Sequence, residues 1–374
     1  MQTVADLGDQ AEAHLLAGRF REALHAYVAI LRLQPANLDA RLRVADALLA
    51  LGEVQQAAVA YTALARYAAH AGHPLHALVA LKVLTTLEPL LTELLADLAT
   101  LYARDSDRLG RGARPRAGEP GAALPAGFAL GGPSLGLVEE AATLAQQVPR
   151  VPLPQKLPPV PLFSELPEDA FARVITAIQL VRARPGDAIV TQGDPGDSFF
   201  VLARGEVRVE RSVPDGPIQR LATLGGGAIF GEMALVSASP RSATVVAERA
   251  TDLLRFDGEA LGAAAQEVKT IAAALDRFTR GRMLTNLLNN SPLFRPLTAK
   301  QRADLIRRFS AHDVPAGTTI VEEGAVGQGL YVVLSGAVEI HMLEAGLVVL
   351  LATLGPGEIF GEISLLHEER ASAT

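Results

Sequence analysis

Apolar residues recur at three- and four-residue intervals through the first hundred positions, a period that predicts helices. The pattern places them at Val4–Ala17, Phe20–Leu33, Leu38–Leu51, Val54–Ala69, Pro74–Thr86 and Leu90–Arg104. From Asp105 to Gly136 the period vanishes and Gly, Ala, Pro and Arg dominate; Leu137–Gln147 has room for one short helix, and Pro149, Pro152, Pro154, Pro158, Pro159 and Pro161 follow. That composition predicts a disordered spacer and an extended polyproline-like arm, with a ligand for an adaptor domain as the sharper alternative. Past Pro161 the period changes. Leu162–Pro167 and Asp169–Leu180 read as helical, and then Ala188–Val190, Ser198–Ala203, Val207–Arg211, Leu221–Leu224, Thr244–Ala247 and Leu253–Phe256 read as short strands. Gly193–Asp197 and Asp215-Gly216 supply turns between them. Short strands at this spacing predict an antiparallel roll with jelly-roll topology. Glu259–Asn290, rich in Ala and Leu, returns to helix.

Composition narrows the classes. A chain of 374 residues with 49% apolar content can bury two or three cores. A formal charge of −7 gives no basic footprint for nucleic acid. The absence of Cys excludes disulfides, thiolate metal sites and Cys nucleophiles. Met1–Asp9 has neither a basic residue nor an apolar run, so it does not read as a signal peptide. Leu87–Leu101 is the nearest approach to a membrane span, and Glu88, Pro89, Glu93 and Asp97 interrupt it. The expectation is a soluble cytoplasmic protein with no membrane or nucleic-acid partner. His70, His73 and His76 stand three apart, but Gly72 and Pro74 lie between them, so they read as solvated turn residues rather than a metal site.

Internal repetition is strong at the N-terminus. Gly18 recurs as Gly52, Ala23 as Ala57 and Tyr27 as Tyr61, each a step of 34 residues. A third echo, Gly72, Ala77, Leu81 and Pro89, comes only 20 residues after Gly52. The Gly, Ala and Tyr offsets resemble the tetratricopeptide repeat, although the consensus Trp is absent. Residues 1–105 are therefore expected to form a helical solenoid, with Leu90–Arg104 as its cap, and residues 106–160 a linker. The resemblance implies a groove for a protein partner's peptide or helix. A solenoid that only links or dimerises is the alternative.

Candidate chemistry centres on Phe230-Gly231-Glu232-Met233-Ala234-Leu235, closed by Pro240-Arg241-Ser242-Ala243-Thr244. A helix start near Gly231 would aim backbone N–H groups at an anion. Arg241 offers a forked permanent cation for phosphate oxygens, and Glu232 a carboxylate for a hydroxyl donor. The wording resembles the phosphate-binding cassette of the cyclic-nucleotide-binding domain, found in the catabolite activator family and in regulatory subunits of cyclic-AMP-dependent protein kinase. The resemblance implies an α+β domain over residues 161–290, a β-roll flanked by helices. It further implies that Gly231, Glu232, Met233, Ala234, Arg241, Ser242 and Ala243 hold the sugar-phosphate, with Val207 and Leu221 lining the pocket and the ligand packing against Gly205. A base-capping residue would come from Arg277, Phe278, Arg280 or Arg282. Ser242, as in the catabolite activator, tilts the choice toward cyclic AMP over cyclic GMP.

A second copy follows. Phe163 recurs as Phe294, Gly193 as Gly324, Gly196 as Gly327 and Gly205 as Gly336, all 131 apart, and Phe230-Gly231-Glu232 returns as Phe360-Gly361-Glu362 at 130. The corresponding site residues would be Gly361, Glu362, Ile363, Ser364, Arg370 and Ser372. Aligning the cassettes puts Ala371 where Arg241 stands, with Arg370 one residue early, so a weaker second site is expected. Residues 291–374 end inside the cassette, which predicts an incomplete second roll and a chain that is part of something longer. Together these readings give a multidomain regulatory sensor: an all-α repeat followed by two such domains, with a cyclic nucleotide as ligand, no metal and no catalysis. A nucleotide-independent interaction scaffold is the rival. A transcription factor would need a helix-turn-helix, and an enzyme a nucleophile elbow, Walker loop, kinase signature or metal motif; none is seen.

Overall fold

The computed structural model describes residues 2–87, 92–110, 118–147, 149–213, 216–232, 240–290, 294, 296–326, 329–334, 336–344, 346–355, 357–362 and 370–374. The chain forms two compact units, residues 1–231 with 240–274, and residues 232–239 with 275–374.

The first unit opens with α1 (Val4–Leu16), α2 (Phe20–Leu33), α3 (Leu38–Ala50), α4 (Val54–His70), α5 (Pro74–Leu87) and α6 (Thr92–Tyr102). Local signals set their ends. The Thr3 hydroxyl accepts from the backbone N–H of Asp6 in a capping box, and the Asn37 side chain accepts from that of Ala40. Gly18, Gly52 and Gly72 follow α1, α3 and α4 with φ of 73°, 88° and 83°, the left-handed closure that favours glycine. Hence the third glycine breaks the 34-residue step: it closes a second helix, where the first two close first helices. The repeated Ala23, Ala57, Tyr27 and Tyr61 are all buried between helices.

The spacer is packed where it is described, contrary to the expected disorder. The N–H groups of Val4 and Ala5, unpaired within the first turn of α1, donate to the carbonyls of Ala122 and Pro120 at 2.9 and 2.8 Å. Helix α7 (Leu137–Gln146) lies against α2, α3 and α4 through Leu137, Ala141, Ala142 and Ala145. Arg41 donates to the carbonyls of Ala145 and Gln147 at 2.9 and 2.7 Å, capping its C-terminal end. Main-chain hydrogen bonds hold this segment, and they leave no apolar period to read.

After α8 (Glu168–Ala177), eight strands form two antiparallel sheets: β1 (Gln179–Ala183), β8 (Thr251–Asp257), β3 (Ser198–Arg204) and β6 (Ile229–Phe230) in one, and β2 (Ala188–Val190), β7 (Thr244–Ala247), β4 (Glu206–Arg211) and β5 (Gln219–Gly225) in the other. Phe200, Leu202, Val207, Phe230, Val245 and Leu253 fill the space between them. The outer face of the first sheet is covered at one end by α8, where Phe163, Phe171, Phe199 and Phe256 cluster. At the other end it is covered by the repeats, with α5 against β1 and β3. Helix α5 thus packs on the chain's own roll, and α1 and α3 reach it through Glu12 and Arg43. Helices α9 (Gly258–Glu267) and α10 (Lys269–Asn290) follow.

The second unit contains α11 (Ala299–Ile306), the hairpin of β10 (Val338–Glu344) and β11 (Leu347–Leu354), and the pair of β9 (Tyr331–Val332) with β12 (Ile359–Phe360). Phe360 stands opposite Tyr331 as Phe230 stands opposite Phe200, and both aromatic pairs are stacked.

Candidate functional site

In the first roll, β6 ends at Phe230 and Gly231 turns with φ 82°. Arg241 returns to this turn just before β7. Its Nη1 donates to the carbonyl of Gly231 at 2.8 Å and its Nη2 to Ser198 Oγ at 3.2 Å, with Asp197 at 4.0 Å. The side chain is buried, at 7% exposure. A Cβ on residue 231 would stand 2.8 Å from Arg241 Nη1, so both the close approach and the backbone angle call for glycine. The main chain of Arg241 is fixed as well: its N–H donates to the Asp194 carbonyl and its carbonyl accepts from Gly193, both at 2.9 Å. The turn cluster at 193–197 is therefore the seat of the cation.

Other expected residues fall as follows. Val207 lies wholly buried in the roll core, and Leu221 is 46% exposed on β5 at its register shift. Ser242 is exposed with its carbonyl accepting from Arg211, and Ala243 is half-buried. Met233 and Ala234 lie outside the described residues. Gly205, φ 99°, is required by packing: a Cβ there would meet Thr251 Oγ1 at 2.5 Å and the Ala250 carbonyl at 2.8 Å.

Within the second unit, Glu232 is buried and its Oε1 lies 3.5 Å from Nε of Arg282 on α10. In the second cassette, Ala371 takes the backbone place of Arg241: its carbonyl accepts from Gly324 at 2.7 Å and its N–H donates to Ala325 at 2.8 Å. Arg370 sends Nη1 to the Gly324 carbonyl at 2.8 Å and is exposed. Gly361, φ 84°, has Gly329 and Tyr331 as its near neighbours. Glu362 is half-buried and Ser372 exposed, while Ile363 and Ser364 lie outside the described residues.

The histidines are not all turn residues. His76 is on α5 with Nε2 3.2 Å from Asp39 Oδ1, and His70 Nε2 is 3.2 Å from Asp97. Among the described residues no group of three or more His, Cys, Asp or Glu is placed to hold a metal, and no helix is long and apolar enough to cross a membrane.

Sequence reasoning missed a charged cluster between the repeats and the first sheet. Arg43 on α3 reaches Asp46 at 2.6 Å, Glu12 on α1 at 3.2 Å and Asp252 on β8 at 3.3 Å. Arg182 on β1 reaches Asp46 at 2.7 Å and Asp252 at 3.2 Å. Arg204 on β3 reaches Glu12 at 2.9 Å and Asp39 at 3.1 Å. Tyr27 donates to Glu12 at 2.8 Å and Tyr61 donates to Asp46. Burial pushes the Glu12 carboxyl up, but Arg43 and Arg204 outweigh it and hold it below the usual range. For Asp46, burial is likewise outweighed by Arg43 and Arg182. Burial and the adjacent carboxylates raise the Tyr27 and Tyr61 hydroxyls, keeping both protonated as donors. The available signal was the run of charges Asp39, Arg41, Arg43 and Asp46 among the apolar residues of α3.

The first unit thus holds a β-roll with an arginine seated on a glycine turn. The chain carries cyclic nucleotide-binding domains behind tetratricopeptide repeats: the family model "Cyclic nucleotide-binding domain" matches residues 180–267 and 311–374, and the tetratricopeptide repeat model matches residues 14–82. Among curated proteins, the cAMP-dependent protein kinase regulatory subunit of Yarrowia lipolytica is 33% identical over 56% of this chain and 52% of its own length. The type II regulatory subunit of Drosophila melanogaster is 29% identical over the same shares, 56% and 52%. The chain thus spans about half the length of the curated relatives it matches. The regulatory domain of Toxoplasma gondii PKA, solved with cAMP, is 25% identical over 57% of this chain and 78% of its own, at a TM-score of 0.30.

Proposed function

We propose that this chain is a regulatory sensor of cyclic AMP, with the first roll as its principal site. The supporting observation is the buried guanidinium of Arg241, packed on the Gly231 turn that opens the cassette. There the exocyclic phosphate meets a forked cation and the N–H groups beginning at Gly231, Met233 and Ala234. Glu232 takes a ribose hydroxyl; Val207 and Leu221 form the wall, and Ser242 and Ala243 the near edge. Cyclic GMP is the weaker ligand. The second roll, at Gly361, Glu362, Ile363, Ser364, Arg370 and Ser372, binds less tightly, because Ala371 brings no charge to the place of Arg241. The output is a change in interaction with a protein partner rather than catalysis. Isothermal titration of the full chain with cyclic AMP and cyclic GMP tests this. A saturable heat, tighter with cyclic AMP, is expected; silence with both in a folded protein leaves the nucleotide-independent scaffold.

A further inference from the structure

The first sheet of the roll carries different chemistry on its two faces. Ala183, Phe200, Leu202 and Leu253 belong to the core inside the roll. On the same strands Arg182 and Asp252, one residue out of step, reach the repeats. Arg204 has the parity of Phe200 and Leu202 and would by alternation point inward. The register shift between Leu202 and Arg204 turns it outward instead, opposite Asp252. The bulge delivers a guanidinium to the carboxylates of α1 and α3.

The place where this happens borders the proposed nucleotide pocket. Arg204 precedes Gly205, and Val207 follows two residues on. Arg204 Nη1 donates to the Ala250 carbonyl at 3.3 Å, and Gly205 packs against Ala250 and Thr251 so closely that no Cβ fits. The corner between β3 and β4 is therefore clamped to the turn before β8. Asp252 completes the clamp: it is fully buried, and among the described residues neither carboxylate oxygen accepts a hydrogen bond while Arg43 and Arg182 stand beside it as counter-charges.

We infer that the repeats are part of the first nucleotide site, with Arg204 and Asp252 as positioning residues that hold the β3–β4 corner, and with it Val207, through the charges of α1 and α3. The inference rests on the sensor reading above. It makes the linkage reciprocal: a partner that strains the repeats changes nucleotide affinity, and nucleotide changes that partner's affinity by the same factor.

The test is titration of the full chain with cyclic AMP, read by heat and by tyrosine emission. The protein has no Trp and five Tyr, of which Tyr27, Tyr61, Tyr67 and Tyr102 lie in the repeats, and two of those donate into the cluster. Arg204→Gln and Asp252→Asn are expected to weaken binding about five-fold or more and to abolish the nucleotide-dependent change in tyrosine emission expected of the wild type. Arg204→Lys should recover part of both. Arg32→Gln, which removes the exposed pair with Glu140 on α7, should change neither. Should the two sheet variants lose their circular dichroism, Glu12→Gln decides from the repeat side. Folded cluster variants with wild-type affinity and wild-type emission change overturn the inference alone. A wild type that binds neither nucleotide removes the sensor reading, and the inference with it.

Discussion

Arg43→Met probes the cluster at its centre. The side chain is nearly inaccessible and touches three carboxylates, those of Glu12, Asp46 and Asp252, at 2.6–3.3 Å. Methionine keeps most of the volume, so the cavity term is small and the lost charge dominates. Removing one member of a buried pair costs about 3–5 kcal/mol, because the remaining charge is left uncompensated. Arg182 and Arg204 still stand beside these carboxylates, which places the expectation at the lower end, about 3 kcal/mol, a large share of a domain's roughly 5–15 kcal/mol. The pH dependence has a definite sign. In the wild type the Glu12 and Asp46 carboxyls are held below their unfolded values, so their contribution is complete above the unfolded carboxylate range and is lost as pH falls through the folded values. In the variant, burial is less opposed and the folded values rise. The cost of the substitution then shrinks on acidification, as the uncompensated carboxylates take up protons. Urea unfolding of the full chain, followed by tyrosine emission at pH 7 and pH 5, measures both. A variant within about 0.5 kcal/mol of the wild type at pH 7, or a gap that widens at pH 5, refutes the reasoning.

Gly231→Ala places a Cβ 2.8 Å from Arg241 Nη1 on a left-handed backbone; a penalty of about 1–2 kcal/mol is expected, with a fall in cyclic AMP affinity measured by titration calorimetry. Ala371→Arg, made in a chain whose first site is silenced, should raise second-roll affinity about ten- to a hundredfold by restoring the missing cation. In the same background Arg370→Ala should weaken second-roll binding further, since Arg370 is the cation proposed for that site; unchanged binding would remove Arg370 from it. Arg41→Ala removes the two carbonyl contacts at the end of α7, at about 1.5–3 kcal/mol per charged hydrogen bond, and limited proteolysis between residues 130 and 150 should quicken.

Local signals were read most faithfully. The first five helices end within one residue of expectation, because caps and glycine closures are written into neighbouring residues. Strands β2 and β7 carry the expected bounds. Strand β1 was absorbed into the preceding helix, whose apolar period runs into Gln179 and Leu180, and β6 is only two residues long. The cassette was legible because its residues lie within one short stretch. The partnership of Gly231 with Arg241 is local, whereas that of Asp252 with Arg43 spans the chain and depends on how the repeats meet the roll. No period announces a buried charge whose partner is 209 residues away. The packing of α5 on β1 and β3 was hidden for the same reason: that sheet is encoded far downstream.

The central claim is that Arg241 is the phosphate cation of the first roll. Calorimetric titration of Arg241→Ala and Arg241→Lys against cyclic AMP tests it most directly, with circular dichroism confirming the fold. The account predicts a loss of about ten- to a hundredfold for alanine and a smaller loss for lysine, which keeps the charge without the fork. A folded alanine variant that binds cyclic AMP as tightly as the wild type would contradict it.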